Sequence, residues 1–263
     1  ARPHIAAPVE TPQGALRQGR AERPVVTTIA RWSGPRNIST AMMYAFGNRP
    51  DCEAWDEPFY AFSLVHHGND HPMRDEIIAA HDSDWDRLVA RCLGPASRPV
   101  FYQKHMTHHM LPGYDRNWIT GMTNAFLVRH PERVLASYVK KWSDVSLRDI
   151  GFVEQSEIFD LVADHTGRAP AVVDAEDILA DPRSALTKLC SACGIDFDES
   201  MLSWKPGPKS FDGIWARHWY NAVWASTGLT QQEPRAVALP AQLQRIADAA
   251  MPYYERMRPY RLT

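Results

Sequence analysis

Short apolar runs rich in β-branched residues alternate along this chain with longer segments in which apolar residues recur at helical spacing. The short runs predict strands and the longer periodic segments predict helices. The predicted strands are 25–32, 53–55, 99–106, 125–129 and 171–174. The predicted helices are 37–47, 152–166, 182–193 and 240–257, with further helical pattern, broken at Gly68 and Pro72, over 59–92. This alternation indicates an α/β fold, a parallel sheet with helices on both faces.

The segment from Ala125 to Trp142 carries the clearest local signal. A buried strand is predicted to deliver Arg129 at its carboxyl end, and Pro131 follows at the first position of a helix, where proline loses no hydrogen bond. That helix carries Ser137 and has one apolar face, formed by Val134, Leu135, Tyr138, Val139 and Trp142. A cation and a hydroxyl at a strand–helix junction favour an anion, because backbone N–H groups point outward there.

A second junction of this kind follows the first predicted strand, in the sequence SGPRNIST from Ser33 to Thr40. It offers one cation, Arg36, and the hydroxyls of Ser39 and Thr40 at a helix start. It is not a Walker loop, because GxxxxGK[ST] is missing. Capping of the helix by Ser or Asn is the alternative interpretation. The presence of two such junctions in one chain favours phosphate binding.

Other polar residues also fall at or just past predicted strand ends, namely Glu57 and His105. Ligands of parallel α/β sheets bind at the carboxyl ends of the strands. The sequence therefore predicts one functional site at that edge of the sheet.

The composition limits the classes of partner that the protein is expected to bind. The 263 residues are 44% hydrophobic and 23% charged, with a formal net charge of −2. No run is long enough to span a bilayer, and the near-neutral balance argues against nucleic acid, so a small molecule is the expected partner. We expect a Pro- and Arg-rich N-terminal arm, 1–24, a single domain, 25–263, and a cytoplasmic location. Oligomeric state is left open, with a dimer as one candidate.

Cysteine and histidine groups suggest two alternative kinds of chemistry. Cys190 and Cys193 form a CxxC inside a predicted helix, where apolar packing competes with a redox or metal role. His105, His108 and His109 have a spacing that suits zinc on one helical face. No HExxH or cysteine pattern accompanies them, so we expect no metal.

The two junctions together resemble the two nucleotide signatures of sulfotransferases that use 3′-phosphoadenosine 5′-phosphosulfate (PAPS). The resemblance implies a three-layer, P-loop-like fold with a central parallel sheet flanked by helices. It also implies that the first junction binds the 5′-phosphosulfate and that Arg129 and Ser137, in RHPERVLAS, bind the 3′-phosphate. Better-known members have Lys followed by Ser-Gly-Thr-Thr in the first loop. The segments WSGPRxxST and WDEPFY are similar to a smaller branch of the family. The first-junction residues are Arg36, Asn37, Ser39 and Thr40.

A third family feature is a C-terminal loop, rich in Gly and Lys, that closes over the 3′-phosphate and adenine. The candidate here is WKPGPKSFDGIW, from Trp204 to Trp215, with Lys205, Gly207 and Lys209 as donor-binding residues. An ordinary surface loop is the alternative interpretation of this segment.

The resemblance implies that a sulfuryl group is transferred to a hydroxyl or an amine of a small-molecule acceptor. Such a transfer needs an in-line approach, charge stabilisation and a base. The family base is usually a His near the strand that begins at Pro99, so we predict His105 first and His108 next. Glu57 is predicted to orient the acceptor, to act as the base or to cap the following helix. Arg36 would stabilise charge on the donor. The alternatives are a nucleotide-dependent phosphotransferase and a non-catalytic nucleotide-binding module.

Overall fold

The computed structural model of the protein describes residues 26–67, 71–142, 144–230 and 237–263. The predicted N-terminal arm, 1–24, lies outside these residues, so the proposed division into an arm and one domain stays a prediction. Within the described ranges, no helix is both long and apolar enough to cross a membrane.

A five-stranded sheet forms the centre of the fold, in the order β2-β3-β1-β4-β5. All four neighbouring pairs of strands are parallel, which confirms the predicted fold class. Each predicted strand is present within two residues of its expected ends. The strands are β1 (Thr27–Ser33), β2 (Cys52–Asp56), β3 (Val100–Met106), β4 (Thr123–Val128) and β5 (Ala171–Asp174).

Helices connect the strands and cover both faces of the sheet. Four short 3₁₀ turns, at Thr107–His109, Asn117–Gly121, Glu199–Leu202 and Arg258–Tyr260, complete the regular structure of the described residues. The α-helices there are α1 (Ser39–Gly47), α2 (Tyr60–His67), α3 (Arg74–Ala80), α4 (Trp85–Cys92), α5 (Pro131–Tyr138), α6 (Phe152–Thr166), α7 (Ala175–Ala180), α8 (Pro182–Ala192), α9 (Ala216–Trp219), α10 (Asn221–Trp224) and α11 (Ala241–Met257).

Two hydrophobic cores lie on opposite faces of the sheet. Ile29 of β1 belongs to the core that α1 and α8 cover, whereas Ala30 and Trp32 belong to the core that α6 and α11 cover. This division follows from the pleat, since successive side chains of a strand point to opposite faces. Because β4 is buried on both faces, it appears in the sequence as a continuous apolar run from Ala125 to Val128.

The helix that carries Ser137 is shorter than its apolar pattern predicts. It ends at Tyr138 rather than Trp142, although the N–H of Trp142 still donates to the carbonyl of Tyr138 at 3.2 Å. The Trp142 ring does not continue the apolar face of α5; it stacks on Trp219, with ring centroids 5.8 Å apart.

Candidate active site

The carboxyl ends of β1, β2, β3 and β4 meet at one edge of the sheet, because all the strands run in the same direction. The segments that leave this edge begin at Gly34, Glu57, Thr107 and Arg129. The fold therefore gathers at one edge the two predicted phosphate junctions, Glu57 and the His108–His109 pair.

The loop between β1 and α1 has the backbone geometry of an anion cradle. Arg36 and Ile38 are left-handed, with φ of 64° and 55°. Non-glycine residues rarely adopt this conformation outside strained functional segments. Left-handed residues within such a turn direct successive N–H groups into a concavity, which adds to the positive end of α1.

Side-chain capping does not account for the hydroxyls and the amide of this loop. Ile38 occupies the N-cap of α1 and no side chain caps the helix. Asn37 is 1% exposed, and both polar atoms of its amide are buried without a hydrogen-bond partner among the described residues. Because a buried amide without a partner is costly, the loop is suited to receive a polar ligand.

The two predicted phosphate junctions are in direct contact. The Nε of Arg36 donates to the Oγ of Ser137 at 3.0 Å, and the Nη1 of Arg129 donates to the backbone carbonyl of Arg36 at 3.0 Å. Arg129 is held from its other side by Glu176, at 3.3 Å. Burial, together with the nearby charge of Arg129, lowers the pKa of Arg36. Two arginines joined in this way are chemically suited to a ligand with more than one anionic group.

The candidate C-terminal loop packs against α1 and the end of β2. Asp212 accepts hydrogen bonds from the Tyr44 hydroxyl at 2.7 Å and from the N–H of Lys209 at 2.8 Å. The N–H of Gly213 donates to Asp56 at 3.1 Å. The loop is thus tied to the same edge of the sheet as the two junctions.

The lysines of this loop are not joined to the two arginines. The Lys209 ammonium donates to the carbonyl of Lys205 at 2.6 Å, and the N–H of Gly207 donates to the carbonyl of Trp224 at 2.7 Å. Within the part of the chain that the structure describes, Lys205, Gly207 and Lys209 make no hydrogen bond to Arg36 or Arg129.

A buried ionic cluster that the sequence reasoning missed lies at the ends of β2 and β3. Lys104, 1% exposed, donates from Nζ to Asp56 at 3.0 Å, to the Tyr220 hydroxyl at 2.7 Å and to Glu57. The Tyr220 hydroxyl in turn donates to Asp56, at 2.8 Å. Burial alone would lower the pKa of Lys104, but the two carboxylates outweigh it and raise the pKa. A lysine within a predicted buried strand, together with the consecutive acidic residues Asp56 and Glu57 at the end of another strand, is the signal that could have revealed the cluster.

Glu57 is the member of this cluster with features of a proton acceptor. Its backbone is left-handed, with φ of 39°, and its side chain binds Lys104 instead of capping α2. Its Oε2 lies 4.0 Å from the Nε2 of His109. Burial raises the pKa of Glu57, Lys104 opposes that rise and Asp56 adds to it. Such a carboxyl is poised to gain and lose a proton closer to neutral pH than an exposed glutamate.

The predicted bases occupy different environments. His105 is 1% exposed, stacks on Trp32 with centroids 4.4 Å apart, and has its Nε2 3.0 Å from the Oε1 of Gln103. Burial lowers the pKa of His105 to about 3. Since it follows Lys104 directly on β3, its side chain points to the opposite face of the sheet from the ionic cluster. The structure therefore separates His105, the first-choice base, from Glu57 and Lys104.

The other two histidines follow β3 in the 3₁₀ turn Thr107–His109. Their rings lie 4.5 Å apart, and His109 also stacks on Tyr60 at 4.8 Å. His108 is the more exposed of the pair, and His109 is the one that approaches Glu57. Within the described residues, no group of His, Cys, Asp and Glu has the arrangement of a metal site.

Cys190 and Cys193 have the character of packing residues. Both are buried and unpaired, and burial raises the pKa of the two thiols to about 11 and about 12. Redox and metal-binding cysteines need an accessible thiolate, so this environment favours the packing interpretation.

Comparison with known proteins identifies the family to which the chain belongs. The chain matches the family model described as "Sulfotransferase domain" over residues 27–261. The match covers the sheet, both phosphate junctions and the C-terminal loop. The chain therefore belongs to the sulfotransferase family, which confirms the resemblance found in the sequence, and sulfuryl transfer is the general chemistry that this membership supports.

The curated relatives of the chain are longer proteins whose names describe them as aminotransferase-like. "Branched-chain-amino-acid aminotransferase-like protein 1" of Arabidopsis thaliana is 33% identical over 233 residues, which is 88% of this chain and 42% of the relative. A second such protein from the same plant is 32% identical, and the match covers 88% of this chain and 41% of that relative. The chain thus spans less than half the length of the curated relatives that it matches.

The solved structures support the fold. A sulfotransferase from Alicyclobacillus acidocaldarius aligns with a TM-score of 0.52 at 11% identity, over 89% of this chain and 94% of that one. The sulfotransferase domain from the curacin biosynthetic pathway aligns with a TM-score of 0.50 at 16% identity, over 87% of this chain and 99% of that one.

Proposed function

We propose that the protein transfers a sulfuryl group from 3′-phosphoadenosine 5′-phosphosulfate to a hydroxyl, or an amine, of a small-molecule acceptor. The observation that carries the proposal is the direct contact between the two junctions, Arg36 to Ser137 and Arg129 to the Arg36 carbonyl. One family-specific ligand with two separate phosphates accounts for two adjacent anion sites.

The residues of the two junctions have separate tasks in this proposal. The left-handed loop, Asn37, Ser39 and Thr40 bind the 5′-phosphosulfate, and Arg129 and Ser137 bind the 3′-phosphate. Arg36 lies between the two groups and stabilises the negative charge that develops on the leaving phosphate. Lys205, Gly207 and Lys209 lie on the loop proposed to cover the 3′-phosphate and the adenosine.

We assign the base to Glu57 in preference to the histidines. Glu57 removes the proton of the acceptor hydroxyl as the acceptor oxygen bonds to sulfur, and the bond between sulfur and the phosphate oxygen breaks. The electron pair of that bond leaves with the bisphosphate, whose charge Arg36 offsets. Three features support Glu57: its position at the strand edge, its left-handed backbone and its raised pKa. His108 stays the second candidate, because it is the more exposed histidine at this edge.

The acceptor side of the site has an aromatic wall, defined here as Tyr60, His71, Trp142 and Trp219. The Tyr60 hydroxyl lies 2.9 Å from the Nε2 of His71, whose ring is 5.9 Å from Trp142 and 6.0 Å from Trp219. Tyr60 also stacks on His109, the neighbour of Glu57. A small metabolite with an apolar body fits this wall better than a polyanion, in agreement with the net charge of −2. We place this reaction in the cytoplasm.

The two rival functions lack an equivalent observation. A nucleotide-dependent phosphotransferase would need a complete P-loop with its Lys and a Mg²⁺ ligand, and the loop Ser33 to Thr40 has neither the motif nor its Lys. A non-catalytic binding module would use the junctions but would have no task for Glu57. The ionic cluster around that carboxyl therefore favours an enzyme.

Transfer of labelled sulfuryl groups tests the proposal. We would incubate the protein with ³⁵S-labelled phosphosulfate donor and a metabolite extract, then separate the labelled products. The expected result is acceptor-dependent labelling that Arg36→Ala abolishes and that Arg217→Ala, a change to an exposed arginine on α9, leaves intact. Labelling that survives Arg36→Ala unchanged would contradict the proposed site.

A further inference from the structure

We propose that Asp56 is a positioning residue that shares the Lys104 ammonium with Glu57, so that this cation does not neutralise the Glu57 carboxylate alone. The inference rests on the proposed role of Glu57 and assigns a task to two charged residues that the reaction itself does not require. It follows from how unequally the hydrogen-bond donors of the cluster are shared.

Asp56 receives most of the donors. Its Oδ1 accepts from Lys104 at 3.0 Å, and its Oδ2 accepts from the N–H of Gly213 at 3.1 Å. The Tyr220 hydroxyl lies 2.9 Å and 2.8 Å from the two oxygens and donates its single proton to this carboxylate. Asp56 therefore accepts from three donors, whereas Glu57 shares only Lys104 with it.

Glu57 accepts from one donor of the cluster directly, the Lys104 ammonium, which it shares with Asp56. The Tyr220 oxygen lies 3.5 Å from the Oε1 of Glu57 and is closer to both oxygens of Asp56. Lys104 and Asp56 already form a neutral pair. A second buried carboxylate would make the cluster net negative, which favours protonation of Glu57. Without Asp56, Lys104 would pair with Glu57 alone and hold that carboxylate ionised.

The groups that face Glu57 come from every element packed around it. Besides Lys104 on β3 and Asp56 on β2, they are Tyr220 between α9 and α10, His109 in the 3₁₀ turn and Tyr60 at the start of α2. Of these groups, Lys104 lowers the pKa of Glu57 and Asp56 raises it. Their substitution should therefore move the titration of Glu57 in opposite directions.

Carbon-13 NMR of the full chain tests the inference without an acceptor or a sulfuryl donor. Glutamates would be labelled at the side-chain carboxyl carbon, and Glu57→Gln would identify the resonance of Glu57. In Asp56→Asn we expect the titration midpoint of Glu57 to fall by roughly one pH unit, because Lys104 then pairs with Glu57 alone. In Lys104→Met we expect the midpoint to rise, since the stabilising cation is gone. Asp86→Asn, which alters an exposed aspartate of α4, is the matched control.

The outcomes separate this inference from the proposed function. An unchanged midpoint in Asp56→Asn would show that Asp56 has only a structural role, even if sulfuryl transfer is confirmed. If Asp56→Asn does not fold, the midpoint in Lys104→Met decides, and a midpoint that does not rise there overturns the inference. Failure of the proposed function would appear elsewhere, as absent labelling and absent binding of adenosine 3′,5′-bisphosphate, while the midpoints could still move as expected.

Discussion

The Nη1 of Arg129 donates to the backbone carbonyl of Arg36 at 3.0 Å, across 93 positions of sequence. This bond joins the loop after β4 to the loop after β1, which are neighbours because the strands are neighbours in the sheet. The Arg36 backbone that accepts this bond is left-handed, and the charge of Arg129 adds to burial in lowering the pKa of Arg36. The bond therefore connects the two predicted phosphate junctions directly.

Arg129→Ala should weaken the binding of adenosine 3′,5′-bisphosphate by about tenfold to a hundredfold, the value of a lost charged hydrogen bond. Isothermal titration calorimetry measures this directly. Arg133→Ala is a matched control, because Arg133 pairs with the same Glu176, at 3.2 Å, but is not among the residues proposed to bind the donor. Equal loss of affinity in both variants would mean that Arg129 acts through Glu176 rather than through the ligand.

Glu57→Gln should reduce sulfuryl transfer by about 10²–10⁴-fold and leave bisphosphate binding unchanged, because it removes the base but neither junction. Transfer by the unchanged protein should fall as pH falls through the raised pKa of Glu57, since only the ionised carboxylate accepts a proton. Initial rates across pH measure both effects. Glu53→Gln, which alters the carboxylate of β2 that pairs with Arg91, is the control. If Glu57→Gln retained full transfer and His108→Ala lost it, the base would be His108.

The acid sensitivity of the fold should depend on His105. Its folded pKa of about 3 lies below the ordinary value of 6.5, so the unfolded chain binds more protons between these values. The free energy of unfolding therefore decreases as pH falls from about 6.5 towards 3, by up to roughly 4–5 kcal/mol from this residue. His105→Gln removes this contribution.

Urea unfolding at several pH values measures this effect. Between pH 7 and pH 4, the free energy of unfolding should change less in the His105→Gln variant than in the unchanged protein. The same slope in both proteins would show that His105 is protonated in the folded state and is not sealed from water.

The order of strands and helices is well predicted from the sequence, because the strands are buried on both faces. The residues of each strand–helix junction are also close together in the sequence. Arg129, Pro131 and Ser137 lie within nine positions, so strand end, helix start and hydroxyl are visible together. The parallel sheet then follows from the alternation of elements. The strand pairing confirms the parallel sheet, and the family match confirms the family resemblance.

The chemistry of the cluster could not be predicted in the same way. The pleat of β3 decides whether Lys104 or His105 lies on the same face of the sheet as Asp56. A shift of one residue in the strand exchanges the two faces. Tyr220 meets Lys104 across 116 positions, so no local pattern connects them. The end of α5 at Tyr138 is also decided by tertiary packing, since Trp142 finds a partner in Trp219 instead of continuing the helix.

Thermal unfolding with two nucleotides tests the central claim, that the joined junctions bind the phosphosulfate donor, most directly. Adenosine 3′,5′-bisphosphate should raise the melting temperature of the unchanged protein, because a ligand bound only to the folded state stabilises it. ATP with Mg²⁺ should leave the melting temperature unchanged, and Arg36→Ala should remove the effect of the bisphosphate. Stabilisation by ATP with Mg²⁺ and none by the bisphosphate would contradict the account.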